Sequence, residues 1–178
     1  MQQIAAWILS RESVWYRIVL VNLFERIFPK KKRICGPVVD LVEEQVMKAD
    51  AWNQYVPSFI YGIYLHGSLM RVGNCDLRVG QNEELYYAGN IGYHIDPPFR
   101  GHHYALEACH ILFQLAEQKG MSELIITCSP DNPASQKTLE ALSGYYIETT
   151  AVPSGHWLYK RGETVKRIYR YTLEDQKN

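Results

Sequence analysis

The chain has 178 residues, enough for one domain with a sizeable core. Its hydrophobic content of 47% and charged content of 21% describe an ordinary globular protein. Lys+Arg 19 stand against Asp+Glu 19, so there is no basic excess and no bulk electrostatic capture of nucleic acid.

Residues 1–28 are apolar but broken by Arg11, Glu12, Arg17, Asn22, Glu25 and Arg26. Those charges argue against a membrane span, no small-residue cleavage site follows, and an amphipathic helix or helix pair fits better. The basic run Lys30, Lys31, Lys32, Arg33 reads as a solvated turn beside Pro29. A second helical pattern covers 38–52, so residues 1–55 read as a helical N-terminal region ending at Pro57. Residues 59–66 are β-rich, 69–79 continue with a Gly73-Asn74 interruption, and 86–95 make a third strand candidate. The three predict an antiparallel meander. Cys35, Cys75, Cys109 and Cys128 show neither CxxC pairing nor metal-ligand spacing, which points to a reducing, cytoplasmic setting with Cys109 and Cys128 as small core residues.

The third strand candidate runs into Pro97-Pro98, then an Arg-Gly loop, then a helix with Tyr104, Ala108, Ile111, Leu112 and Leu115 on one face and a stop at Gly120. A loop opening a helix in this way aims free N–H groups at one spot, at the positive end of the helix dipole. That is an anion site. Neither GxxxxGK[ST] nor a strand-linked GxGxxG occurs, which argues against a P-loop and a dinucleotide-binding unit. Residues 123–128 then form a buried strand, Asn132 caps a helix with Pro133 in its first turn, and Gly144 closes that helix near Leu142. A strand follows at 145–148. The strand at 123–128 is expected to lie parallel to the third. The tail, 156–159 and 165–173, reads as a hairpin around Arg161-Gly162-Glu163.

Arg100-x-x-His103-x-Ala105 resembles the pyrophosphate loop of the GNAT N-acetyltransferases, [QR]-x-x-G-x-[GA], with histidine at the central glycine. Asn132 and Ser135 match that superfamily's Asn-x-x-Ser, and Gly144-Tyr145 its Gly-aromatic ending. The match covers roughly 89–146, about a third of the chain. The resemblance implies a single α+β domain spanning 1–178, with a mostly antiparallel twisted sheet, helices on both faces and acetyl-CoA in a splayed-strand cleft. Relatives usually begin with a strand, and none is evident before Phe59. The implied cofactor residues are Tyr93, His94 and Ile95 on the splayed strand; Arg100, Gly101, His102, His103, Tyr104 and Ala105 in the loop; and Asn132 with Ser135. Core packing is the simpler reading of the Tyr93 side chain.

Acetyl transfer to an amine requires a proton removed, a carbonyl polarised and a thiolate stabilised. Many relatives protonate the thiolate with a tyrosine where this chain has Leu139, and some carry a basic glutamate near Thr127. Both absences make the chain most similar to the ribosomal-protein N-terminal acetyltransferases. In those, a serine matching Ser135 assists the thiolate; the alternative is that Ser135 only bonds the cap. His156 is the residue nearest to the position of that subgroup's base, and its ring suits the task; Glu83, Glu84 and His94 are rivals. The implied activity is transfer from acetyl-CoA to a primary amine, on a peptide or protein N-terminus or a small molecule. No metal, membrane or nucleic-acid partner is implied, and the protein is expected to be a monomer or homodimer. The alternatives are an aminoglycoside- or polyamine-type enzyme, thinly supported by the acidic pairs Glu43-Glu44 and Glu83-Glu84, and a non-catalytic acyl-CoA-binding module.

Overall fold

The structure is a computed structural model that describes residues 31–50 and 55–173. The chain divides into two units, Met1–Lys32 and Arg33–Asn178, and the account below concerns the second. The helical reading of 1–28 lies outside the described residues.

Five antiparallel strands form the first sheet in sequence order: β1 (Arg33–Cys35), β2 (Val39–Met47), β3 (Ser58–Leu65), β4 (Arg71–Arg78) and β5 (Ile91–Ile95). A second sheet has the order β6-β8-β7, from β6 (Glu123–Cys128), β7 (Tyr145–Ala151) and β8 (Val165–Thr172), again with antiparallel ladders. Four helices complete the described unit: α1 (Glu83–Ala88), α2 (Tyr104–Gln118), α3 (Pro133–Ala141) and α4 (Trp157–Lys160). The sheet face carrying Cys75 and Leu77 packs against Ala108, Cys109 and Leu112 of α2, all fully buried. Each such leucine or isoleucine contributes about 1.5–3 kcal/mol through burial. α1 lies on the opposite face, tied to β6 where Thr127 Oγ1 donates to the Tyr87 carbonyl at 2.8 Å. This is the mixed α+β architecture the sequence implies. Among the described residues, no helix is long and apolar enough to cross a membrane.

Four local readings need correction. Residues 39–47 are a strand, not part of a helix. Val38, Val42 and Val46 keep a spacing of four that a helix and a strand share, while Val39 to Val42 are all buried and a β-bulge lies between Glu43 and Gln45, so no clean alternation marks the strand. Asp40 hides it further: it is buried, holding Arg33 Nη1 and His66 Nδ1 at 2.8 Å each. Strands therefore do precede Phe59. Residues 83–88 are helical because the Asn82 side chain accepts from Leu85 N at 2.8 Å and two glutamates fill the first turn. The segment 156–159 is the start of a helical turn, capped by His156, and β8 pairs with β7 and β6 instead. Finally, the left-handed residue after α3 is Ser143 (φ 59°), not Gly144. Gly144 is required by proximity, since a Cβ there would come within 2.2 Å of the Tyr171 ring.

The two sheets meet at Asn90, which is fully buried. Its backbone N–H donates to Ile125 O at 2.6 Å, and its side-chain Oδ1 accepts from Ile125 N at 2.8 Å. Its Nδ2 donates to Gly80 O at 2.8 Å and Arg78 O at 3.1 Å. No ladder continues from β5 to β6 among the described residues. The expected parallel pair is thus reduced to one clasp, beyond which the strands separate. Asn90→Ala should strand a buried Ile125 N–H and two carbonyls, lowering stability by about 2 kcal/mol and the melting temperature by roughly 4–8 °C. A melting temperature within a degree of wild type would contradict this role.

Candidate functional site

Beyond the clasp lies a cleft of about 400 Å³ between β5, the loop before α2, and α3. It brings together Tyr93, His94 and Ile95, residues 100–105, Asn132 and Ser135, together with Lys137 and Thr138. The last two carry no sequence signal beyond their place one or two positions after Gln136 on the helix that Asn132 opens.

The two helix N-termini at this cleft are finished differently. On α3, Asn132 Oδ1 accepts from Ser135 N at 3.0 Å, and Pro133 brings no N–H to satisfy. On α2, His103 occupies the N-cap position and makes no side-chain capping bond. The first-turn N–H groups of a helix have no partner within it, so those of α2 remain available to an external anion. The chain reaches this position through two left-handed residues, Gly101 (φ 84°) and His103 (φ 60°). An added Cβ at Gly101 would meet no heavy atom of the protein within 4 Å, so the space over that residue is open. Arg100 does not reach outward with its Nε: that atom donates to Ile95 O at 3.0 Å and ties the loop back to the end of β5. His102 stacks on Tyr104, with ring centroids 5.4 Å apart.

Ser135 lies at the floor of the cleft, and its Oγ is 2.8 Å from the Tyr93 hydroxyl. Burial pushes the Tyr93 phenol up to about 12, against the opposing pull of its bond to Ser135, so it keeps its proton throughout the neutral range. Packing alone therefore does not describe Tyr93, whose polar tip is aimed at the cleft's serine. Its neighbour His94 also lines the cleft and has Nε2 3.7 Å from Asp96 Oδ1. Leu139 is fully buried and lends its carbonyl to the Tyr171 hydroxyl at 2.9 Å.

His156 is not at this cleft. It is buried at the start of α4, where its Nδ1 accepts from Leu158 N at 3.1 Å. Nε2 must then carry the hydrogen, and it faces Glu84 Oε2 at 2.9 Å and the Glu84 carbonyl at 3.1 Å. Both ring nitrogens are engaged, which suits His156 to orienting Glu84 better than to taking up a proton. Glu83 and Glu84 share the first turn of α1.

A family model described as an acetyltransferase (GNAT) domain matches residues 24–143. No curated protein sequence matches the chain. Among solved structures, the apo ribosomal L7/L12 α-N-protein acetyltransferase RimL aligns with a TM-score of 0.56 at 13% identity, covering 80% of this chain and 94% of that one. A putative ribosomal-protein-serine acetyltransferase from Vibrio cholerae gives 0.56 at 13%, covering 80% and 98%. An acetyltransferase from Agrobacterium tumefaciens gives 0.54 at 16%, covering 79% and 94%. At such identities the likeness is one of fold.

The left-handed histidine generates a stability prediction. A non-glycine residue in that conformation costs about 1–2 kcal/mol, part of which glycine's greater freedom in the unfolded chain offsets. His103→Gly should therefore stabilise the protein by about 0.5–1 kcal/mol and raise the melting temperature by roughly 1–4 °C. A lower melting temperature would show that the imidazole makes compensating contacts.

Proposed function

This chain belongs to the GNAT acetyltransferase family, and from that premise we propose that it is an N-acetyltransferase, passing the acetyl group of acetyl-CoA directly to a primary amine. The observation that supports this most is the pairing of an uncapped helix N-terminus with a proton-bearing hydroxyl pair in one cleft. The residues fit the cofactor. Gly101, His102 and His103 shape the loop, Tyr104 and Ala105 supply first-turn amides for a pyrophosphate, and Lys137 adds a cation at the same cleft. The edge of β5 at Tyr93, His94 and Ile95 is free of a ladder with β6 and would hold the pantetheine arm. When bound, acetyl-CoA supplies the activated thioester.

The chain's own groups then divide the work. Asn132 fixes the backbone of Ser135. With the Tyr93 phenol donating to Ser135 Oγ, the serine proton is free to point into the cleft. Ser135 is thereby placed to hand that proton to a leaving sulfur, and the Ser135–Tyr93 pair regains it from the proton that the attacking amine releases. The hydroxyl pair takes over the task that relatives give to a tyrosine at the Leu139 position. It also favours an enzyme over a non-catalytic binding module, which has no use for a buried proton donor at the cleft floor. Four unpaired cysteines support a reducing, cytoplasmic setting.

Ser135→Ala and Tyr93→Phe should each lower kcat by tenfold or more, on the order of the smaller general-acid effects, with acetyl-CoA affinity nearly unchanged. Because the raised phenol pKa preserves the acid form as pH rises, kcat of the wild type should not fall with Tyr93 titration between about pH 8 and 10, the ordinary tyrosine range. Steady-state kinetics with calorimetry of acetyl-CoA binding tests this. Unchanged kcat in both variants would remove the pair from the mechanism.

A further inference from the structure

A second cavity, of about 630 Å³, lies on the other face of β5, bounded by α1, the ends of β2 and β3, and Trp157. β5 lines the first cavity, and its neighbour β4 lines the second through Asp76 and Arg78. Tyr93 lines the first, while a Cβ on Gly92 would point the opposite way, 2.5 Å from Asp76 Oδ1, and Asp76 lines the second. The strand is thin, and its edge toward β6 is open beyond Asn90.

The chemistry of the second cavity is unequal. Met47, Val56, Ile60, Leu85 and Trp157 provide apolar and aromatic wall. Of its carboxylates, Asp76 is already matched: its Oδ2 pairs with Arg78 Nε at 2.9 Å, and the Arg78 Nη1 is bound to the Ala88 and Gly89 carbonyls at 3.0 Å. Glu84 is different. Its only partner among the described residues is the neutral His156 ring on Oε2, so its negative charge is uncancelled, with Oε1 available. His156 is itself held by the Leu158 N–H and flanked by Tyr87 and Trp157, so Glu84 is fixed on a rigid mount. The one further cation of the cavity wall, Lys48, would repel a polycation.

Resting on the acetyltransferase reading above, we propose that this cavity is the acceptor site and that its ligand is a compact monoamine with an apolar or aromatic body, the ammonium paired to Glu84. A volume of this size is ordinary for a small-molecule site. One unmatched carboxylate and an aromatic wall suit one cationic nitrogen and a ring. They do not suit an aminoglycoside or polyamine, which would need several carboxylates.

The test uses the full chain. 2-Phenylethylamine and tryptamine are titrated by calorimetry and assayed for CoA release, against spermidine, an aminoglycoside and an alanine-led peptide. Saturable binding of the aryl monoamines is expected, weakened at least tenfold in Glu84→Gln and in Trp157→Ala, while acetyl-CoA affinity stays at the wild-type value. Trp157→Phe should restore most of the affinity if the wall acts by its aromatic face. Turnover confined to the peptide or the polycations, or monoamine binding indifferent to Glu84→Gln in folded protein, would overturn the acceptor assignment and leave the acetyltransferase reading standing. No turnover of any amine despite acetyl-CoA binding, with the aryl monoamines still binding through Glu84, would instead overturn the reading beneath it.

Discussion

A single buried amide holds the divided sheet together. Asn90 gives Ile125 a side-chain carbonyl where a continuing ladder would give a main-chain one, and it spends its two amide hydrogens on the carbonyls of Arg78 and Gly80. Each polar atom at this junction is satisfied, so the strands can part immediately beyond it without orphaned groups in the core. The separation exposes the edge of β5, frees Tyr93 to reach Ser135 on α3, and sets the two cavities on opposite faces of one strand.

The polar groups of the cleft follow the same economy. α3 has its N-terminus satisfied internally by Asn132, so its first turn serves to hold Ser135. α2 leaves its N-terminus open, and the chain accepts a left-handed histidine to direct it there. A left-handed histidine next to first-turn amides without partners in the helix is the pattern of a binding element supported by a rigid scaffold. The scaffold is plain: α2 buries Ala108, Leu112 and Ala116 completely against the first sheet.

The cleft was legible in the sequence because it is built from local signals. Asn132-Pro133 supplies an N-cap and a first-turn proline from adjacent residues, and a Pro-Pro break and an Arg-Gly loop lead from the strand into an amphipathic run. Elements defined by distant partners were not legible. β2 shows no clean alternation because Val39 to Val42 are all buried, including Asp40, which looks like a surface residue and is held by Arg33 and His66. The roles of Tyr93 and Glu84 depend on residues 42 and 72 positions away, Ser135 and His156. Periodicity carries no information over such separations. The contacts of His156 were equally hidden: both ring nitrogens are engaged, and the Glu84 carboxylate it meets is the exposed group.

The central claim is that the uncapped start of α2 receives the pyrophosphate of acetyl-CoA. Amide chemical shifts of uniformly ¹⁵N-labelled protein, recorded as CoA is added, test it directly. The account predicts large, saturable shifts and slowed hydrogen exchange at Gly101, His102, His103, Tyr104 and Ala105, with much smaller changes at the internally capped start of α3. Saturable binding that leaves the amides of 101–105 unmoved would contradict it.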